Sequence, residues 1–159
     1  MPHILVAADA DWVIDEVMAA LGGPDTSFTL CRSGKEVVPA VRQRTPDLAV
    51  LDLQIGNMGG MAVTMALRLE ETGGRLDDVN VLMLLDRRAD LHLARRADAD
   101  GWLVKPLDSV RLRRAATQIM AGGVWYEGLP QPETPDEGAM AERAAAESPA
   151  ADGATAPTG

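Results

Sequence analysis

Cysteine is almost missing from this chain. Cys31 stands alone, so no internal disulfide can form and no cysteine-based metal cage can be built. Near Phe28 and Leu30, it is expected to serve as a small buried hydrophobe. Aromatic residues make up only 3% of the sequence, too few to supply stacking platforms for single-stranded nucleic acid. Basic residues are outnumbered, with 15 Lys and Arg against 24 Asp and Glu and a formal charge of −9. That leaves no basic stripe to displace counterions from a polyanion, which argues against direct nucleic-acid binding. Arg111, Arg113 and Arg114 cluster, but on a helical stretch that reads as a solvated face. Long apolar runs are missing too: none approaches the roughly 20 residues that span a bilayer. No charged leader precedes the first strand-like run. The expectation is a soluble, cytoplasmic protein without a membrane or nucleic-acid partner.

What is present is an alternation. Hydrophobic residues form 47% of the 159, enough for one domain with its own core plus an appendage. Short apolar runs alternate with helical periodicity, the pattern of a parallel sheet with helices on both faces. The runs predict strands at about His3–Ala8, Ser27–Cys31, Asp47–Asp52, Val79–Leu85 and Gly101–Val104. A first helix starts from Asp11 as N-cap, turns Val13, Val17, Ala20 and Leu21 inward, and is stopped by Gly22-Gly23-Pro24. A second runs from Ser33 to about Arg44, with a kink or early break expected at Pro39. Further helices are predicted at about Met61–Thr72, Ala89–Ala97 and Ser109–Ala121. Right-handed crossovers leave few topologies for five such βα units. The expected fold is a doubly wound, flavodoxin-like α/β domain with a five-stranded parallel sheet in the order 2-1-3-4-5.

The domain is expected to close at Gly123. From about Glu127 the composition turns to Pro, Ala, Gly and Glu, with seven acidic residues against Arg143 alone. Such a segment buries too little apolar surface to offset its ordering entropy, so residues 124–159 are expected to be a disordered acidic tail. A transient helix over Met140–Glu147 is the exception. Val124-Trp125-Tyr126 is expected to dock against the fifth helix or a partner.

Three charged residues end apolar runs: Asp9 the first, Asp52 the third, and Lys105, before Pro106, the fifth. In open α/β sheets, ligands bind along the carboxyl edge of the strands. Two carboxylates and an ammonium group are thus expected to meet at one rim. Met58, Met61 and Met65 read as loop packing and helix core, not as a metal or cofactor box.

Four stretches now stand in register: ILVAADAD at 4–11, LAVLDLQIGNMGGM at 48–61, VNVLMLLDR at 79–87 and WLVKPL at 102–107. Together, across about Pro2–Gly123, they resemble the receiver domain of two-component response regulators. The resemblance implies a signalling module, not an enzyme, in which Asp52 accepts a phosphoryl group from a histidine kinase or phosphotransfer protein. It also implies Mg²⁺ held by Asp9, Asp52 and the backbone carbonyl of Gln54, supplying hard oxygen ligation and charge neutralisation. Lys105 would meet a phosphoryl oxygen as a point charge, and the Lys105-Pro106 bond would be cis. Gly60 matches the family's glycine after the acceptor. Trp102 matches its switch aromatic, with a static, half-buried tryptophan as the alternative. An unidentified downstream protein, or a second copy, would bind the face made by the fourth helix, fifth strand and fifth helix. Nothing resembling a DNA-binding output domain follows, so the expectation is a stand-alone receiver.

Several residues depart from the family pattern. Ala8 replaces the first of two acids after the first strand, which should weaken magnesium binding; Asp11 is one possible helper, through water. Leu85 stands where receivers carry the switch Ser or Thr that bonds the phosphoryl group. A charge-assisted hydrogen bond is worth roughly 1.5–3 kcal/mol, so its loss would weaken coupling to the active state by about ten- to a hundredfold. Asp86 replaces a small residue beside the donor path and would repel an incoming phosphoryl group, unless it turns inward to replace the missing acid. Gly56 replaces a frequent proline and would loosen its loop. The expectation is an atypical receiver, with a phosphorylation-independent interaction module as the alternative. An aspartyl phosphatase fits less well, because Gln54 stands where a second acid is needed. A flavin protein fits less well again, because the first loop, Ala8-Asp9-Ala10-Asp11, is acidic.

Overall fold

Strands β1 (His3–Ala7), β3 (Leu48–Asp52) and β4 (Val81–Leu85) are buried at every position, which is why their sequences are apolar throughout and do not alternate. The computed structural model that shows this describes residues 1–128. The expected disorder beyond that point, and the helix at Met140–Glu147, lie outside the described residues.

Successive side chains of these strands point to opposite faces of the sheet. Ile4, Val6, Leu48, Val50, Leu82 and Leu84 pack on one face against α1 (Asp11–Leu21) and α5 (Ser109–Met120). Leu5, Ala49, Leu51, Val81, Met83 and Leu85 pack on the other, against α2 (Val37–Gln43), α3 (Gly60–Thr72) and α4 (Leu91–Arg96). With β2 (Ser27–Cys31) and β5 (Gly101–Val104), the order is β2-β1-β3-β4-β5, all parallel, as expected. The order reverses between β1 and β3, so their carboxyl ends open the crevice where such sheets bind ligands.

A sixth strand was not expected. Trp125–Tyr126 forms β6, parallel to β5, with Gly101 opposite Trp125 and Trp102 opposite Tyr126. The fold therefore continues past the boundary drawn at Gly123. Two residues are too few to show a period in sequence.

Local corrections have simple causes. Asp11 is the first helical residue and not the cap: Ala10 precedes α1 without a side-chain cap, and the Asp11 carboxylate pairs with Arg32. Pro39 does not break its helix. A 3₁₀ turn, Gly34–Glu36, precedes α2 and puts Pro39 in the first turn, where a backbone N–H has no intrahelical partner to lose. The fourth helix is likewise split into a 3₁₀ turn, Arg88–Asp90, and α4. Met58 and Met61 pack against the core, but Met65 is exposed on the outer side of α3. Cys31 is buried, and desolvation, aided by the nearby Glu36 charge, pushes its thiol up to about 11. It is a protonated, inert packing residue at neutral pH.

Candidate functional site

Asp52 is the last residue of β3 and is only 3% exposed. Lys105 follows the last residue of β5, and its backbone N–H bonds Leu85 O at 2.8 Å, extending the β4–β5 pairing by one step. That register aims the lysine stem back across the ends of β4 and β3. Its Nζ lies 3.0 Å from Asp52 Oδ1 and 3.1 Å from Oδ2. Gln54 N–H donates to Asp52 Oδ1 at 3.1 Å, so the carboxylate is held from two sides. The Lys105-Pro106 peptide is cis.

Asp9 arrives from the loop after β1. Its Oδ2 accepts the Gly56 N–H at 3.2 Å, which ties this loop to the one after β3. The structure thus brings Asp52, Lys105 and Gln54 into direct contact and places Asp9 against the same β3 loop. Ala8 is fully buried and contributes only a methyl group. Asp11 is engaged by Arg32.

Asp86 turns to Lys105. Its Oδ1 accepts from Nζ at 3.0 Å, so one ammonium group serves two carboxylates. Counting Asp9, the rim carries three carboxylates and one ammonium, a field that attracts a cation and opposes an anion. The carboxylates of Asp9 and Asp52 are hard oxygen donors, the kind of ligand that suits a magnesium ion completed by water. Among the described residues, no group of three or more His, Cys, Asp or Glu side chains is arranged to hold a metal on its own.

Gly60 opens α3 immediately behind Asp52. A Cβ there would lie 2.6 Å from Asp52 O and 3.0 Å from Leu53 Cα, a clash with backbone that cannot move aside. Glycine is what lets α3 press against the end of β3.

The two expected switch positions lie apart from this rim or carry no polar group. Leu85 is fully buried at the end of β4 and offers no hydroxyl. Trp102 is 1% exposed, not half-buried, and its ring stacks on Tyr126 with centroids 4.6 Å apart.

Two groups at or near the rim escaped the sequence reading. Trp12, 51% exposed, covers Lys105 with its ring centroid 5.4 Å from Nζ, a cation–π contact. The available signal was a tryptophan off the inner face of α1 in a chain poor in aromatics. Arg111 is not part of the solvated face its sequence neighbourhood predicts; it binds Glu127, Val104 O and Pro106 O. A hollow of about 480 Å³ opens at the opposite edge of the sheet, beside Pro2, Pro46, Asp47 and Asn80. Two of its polar groups are already spent, Asp47 on the His3 N–H and Asn80 on Asp47 O.

Comparison with known proteins bears on this arrangement. The family model for the response regulator receiver domain matches residues 4–117. Transcriptional regulatory protein CseB of Streptomyces avermitilis is 30% identical over 112 residues, covering 69% of this chain and 45% of CseB. Protein PilH of Pseudomonas aeruginosa is 23% identical over 122 residues, 77% of this chain and 100% of PilH. The receiver domain of sensor histidine kinase PA1611 from the same organism, solved with a magnesium ion coordinated in its active-site cleft, matches with a TM-score of 0.63 at 22% identity. That match covers 76% of this chain and 98% of the other, and it is a likeness of fold. The chain spans about half the length of the first curated relatives it matches, 45%, 57% and 42%. With the parallel sheet order, the crevice at its carboxyl edge and a family match over most of its length, the chain belongs to the receiver domain family of two-component response regulators.

Proposed function

We propose that this receiver accepts a phosphoryl group on Asp52 from a phosphohistidine of a kinase or phosphotransfer protein, and that the modification alters binding to a partner. The observation that carries this reading is the contact of Lys105 Nζ with both Asp52 oxygens at the crevice of the sheet. In the proposed step an Asp52 oxygen attacks phosphorus, the phosphorus–nitrogen bond breaks, and the imidazole leaves with a proton. Asp52 becomes an acyl phosphate. A carboxylate is a weak nucleophile, so the step depends on positioning and on neutralising charge at the transferring group.

Lys105 supplies one positive charge and moves from carboxylate to phosphoryl oxygen as Asp52 is phosphorylated. Asp9, Asp52 and the Gln54 carbonyl would hold Mg²⁺, which supplies charge neutralisation when bound. The magnesium in the PA1611 cleft supports that assignment. The loss of one acid at Ala8 predicts weak metal binding, and the charge of Asp86 predicts slow transfer. The downstream surface is the α4–β5–α5 face, part of which residues 124–128 of this chain already cover.

A second reading rests on Leu85 and on Trp102. With no hydroxyl at the end of β4 and the aromatic already buried, the domain would bind partners without phosphorylation. Incubation with acetyl phosphate and millimolar Mg²⁺, followed by intact mass measurement, separates the two. The first reading expects a gain of one phosphoryl group on the native chain and none on Asp52→Asn. An unmodified native chain at saturating donor would leave only the second.

A further inference from the structure

The β5 edge is closed by one short piece of the chain itself. After Gly122 and Gly123, Val124–Gly128 runs back beside β5. Trp125 N–H bonds Asp100 O at 3.1 Å, and Gln118 Nε2 of α5 donates to Val124 O. Gly101 makes this approach possible, since a Cβ there would meet Trp125 O at 2.8 Å and Ile119 Cδ1 at 2.7 Å. Tyr126 stacks on Trp102, the planes 19° apart, and Trp102 Nε1–H donates to Glu127 O at 2.8 Å.

Past Tyr126 the backbone pairing ends, and side chains take it over. Glu127 Oε1 accepts the Val104 N–H at 3.1 Å, standing in for the carbonyl of a neighbouring strand. Arg111 Nη2 donates to Val104 O at 3.0 Å, standing in for the neighbouring N–H, and its guanidinium also grips both Glu127 oxygens. Arg111 is further fixed by Pro106 O and Asp108. Gly128 then meets α4 at Leu91. An unpaired strand edge is a template for another strand, and this one is satisfied by a two-residue strand, the Glu127 carboxylate and Arg111.

We propose that the β5 edge, with Trp102, Val104 and Arg111, is a docking groove for an extended segment presenting an aromatic side chain followed by a carboxylate. Residues 124–128 act as its built-in occupant. A partner strand of that chemistry engages by displacing them, through backbone pairing plus side-chain pockets. Strap and partner strand are mutually exclusive, because Val104 N–H has one bond to give. Trp102 then reports the state of the strap. None of this depends on phosphorylation of Asp52.

The test uses the full chain carrying Tyr126→Ala and Glu127→Ala together, with hydrogen exchange followed by NMR. Exchange at the Val104 amide and the Trp102 indole N–H should quicken by about tenfold or more, while Val50 in the sheet interior keeps its protection. A capped hexapeptide, Gly-Val-Trp-Tyr-Glu-Gly, at millimolar concentration should then slow both protons again in the variant and leave the native chain unchanged. Should the double variant not fold, Glu127→Ala alone keeps the Trp102–Tyr126 stack and should expose Val104 N–H selectively. Unaltered Val104 exchange in whichever variant folds overturns the proposal. So does a peptide without effect on the variant, or one that acts equally on variant and native chains.

Discussion

At the scale of single residues, the site is governed by how one ammonium group is shared. Lys105 Nζ donates to two oxygens of Asp52 and one of Asp86, which matches its three protons. Under the proposed transfer, a phosphoryl oxygen would have to displace at least one of these, and Asp86 presents a like charge besides. Asp86→Asn retains the shape and removes the charge. Because the Asp86 side chain is 38% exposed, screening trims the effect. The expected result is a rise of about three- to tenfold in the acetyl phosphate labelling rate of Asp52. An unchanged rate would mean that Asp86 swings clear of the donor path. The sequence had placed Asp86 beside the path as a repelling charge but not as a ligand of Lys105, because the turn of one side chain is not encoded in spacing.

At the scale of elements, the strand ends and the helix starts are set against each other with little slack. The carboxyl end of β3 and the first turn of α3 meet at Gly60, whose missing side chain leaves room for Asp52 O. Gly60→Ala should therefore cost about 1–3 kcal/mol of stability, the range for overpacking a tight site. Urea unfolding with an unchanged m-value would measure it. An equal stability would show that α3 can shift outward freely. The five longer strands and five helices were legible because each carries its period over several residues, and Asp9, Asp52 and Lys105 were legible because they interrupt apolar runs. Pro39 misled because a 3₁₀ turn of three residues shifted the helix start. The docking of Val124-Trp125-Tyr126 on α5 was legible, but its strand pairing was not, because Trp125–Tyr126 is held by neighbours distant in sequence and not by a local pattern.

At the scale of the whole molecule, the two layers of helices are locked to one sheet whose first strand carries a buried histidine. His3 spans β1 and β2, its ring bonding Ser27 Oγ at 2.8 Å and Thr29 Oγ1 at 3.0 Å. Burial, then the Arg44 charge, lowers its pKa below the ordinary 6.5, against smaller opposing effects of Asp47 and Ser27. Between that lowered value and 6.5, the unfolded chain binds a proton that the folded one refuses. The His3 contribution is therefore intact above 6.5 and is lost as pH falls through the folded value. Urea midpoints should drop as pH falls below 6.5, and less so in His3→Gln. Parallel pH profiles for the two proteins would remove His3 from the account.

The protonated state of Cys31 has a practical corollary. A thiol held at about 11 and screened by the core is nearly blind to maleimide at neutral pH. A second cysteine placed at a solvent-facing position such as Val110 would take a fluorophore or spin label selectively. The native background need not be mutated away, so distances within the molecule become measurable on an otherwise unaltered chain.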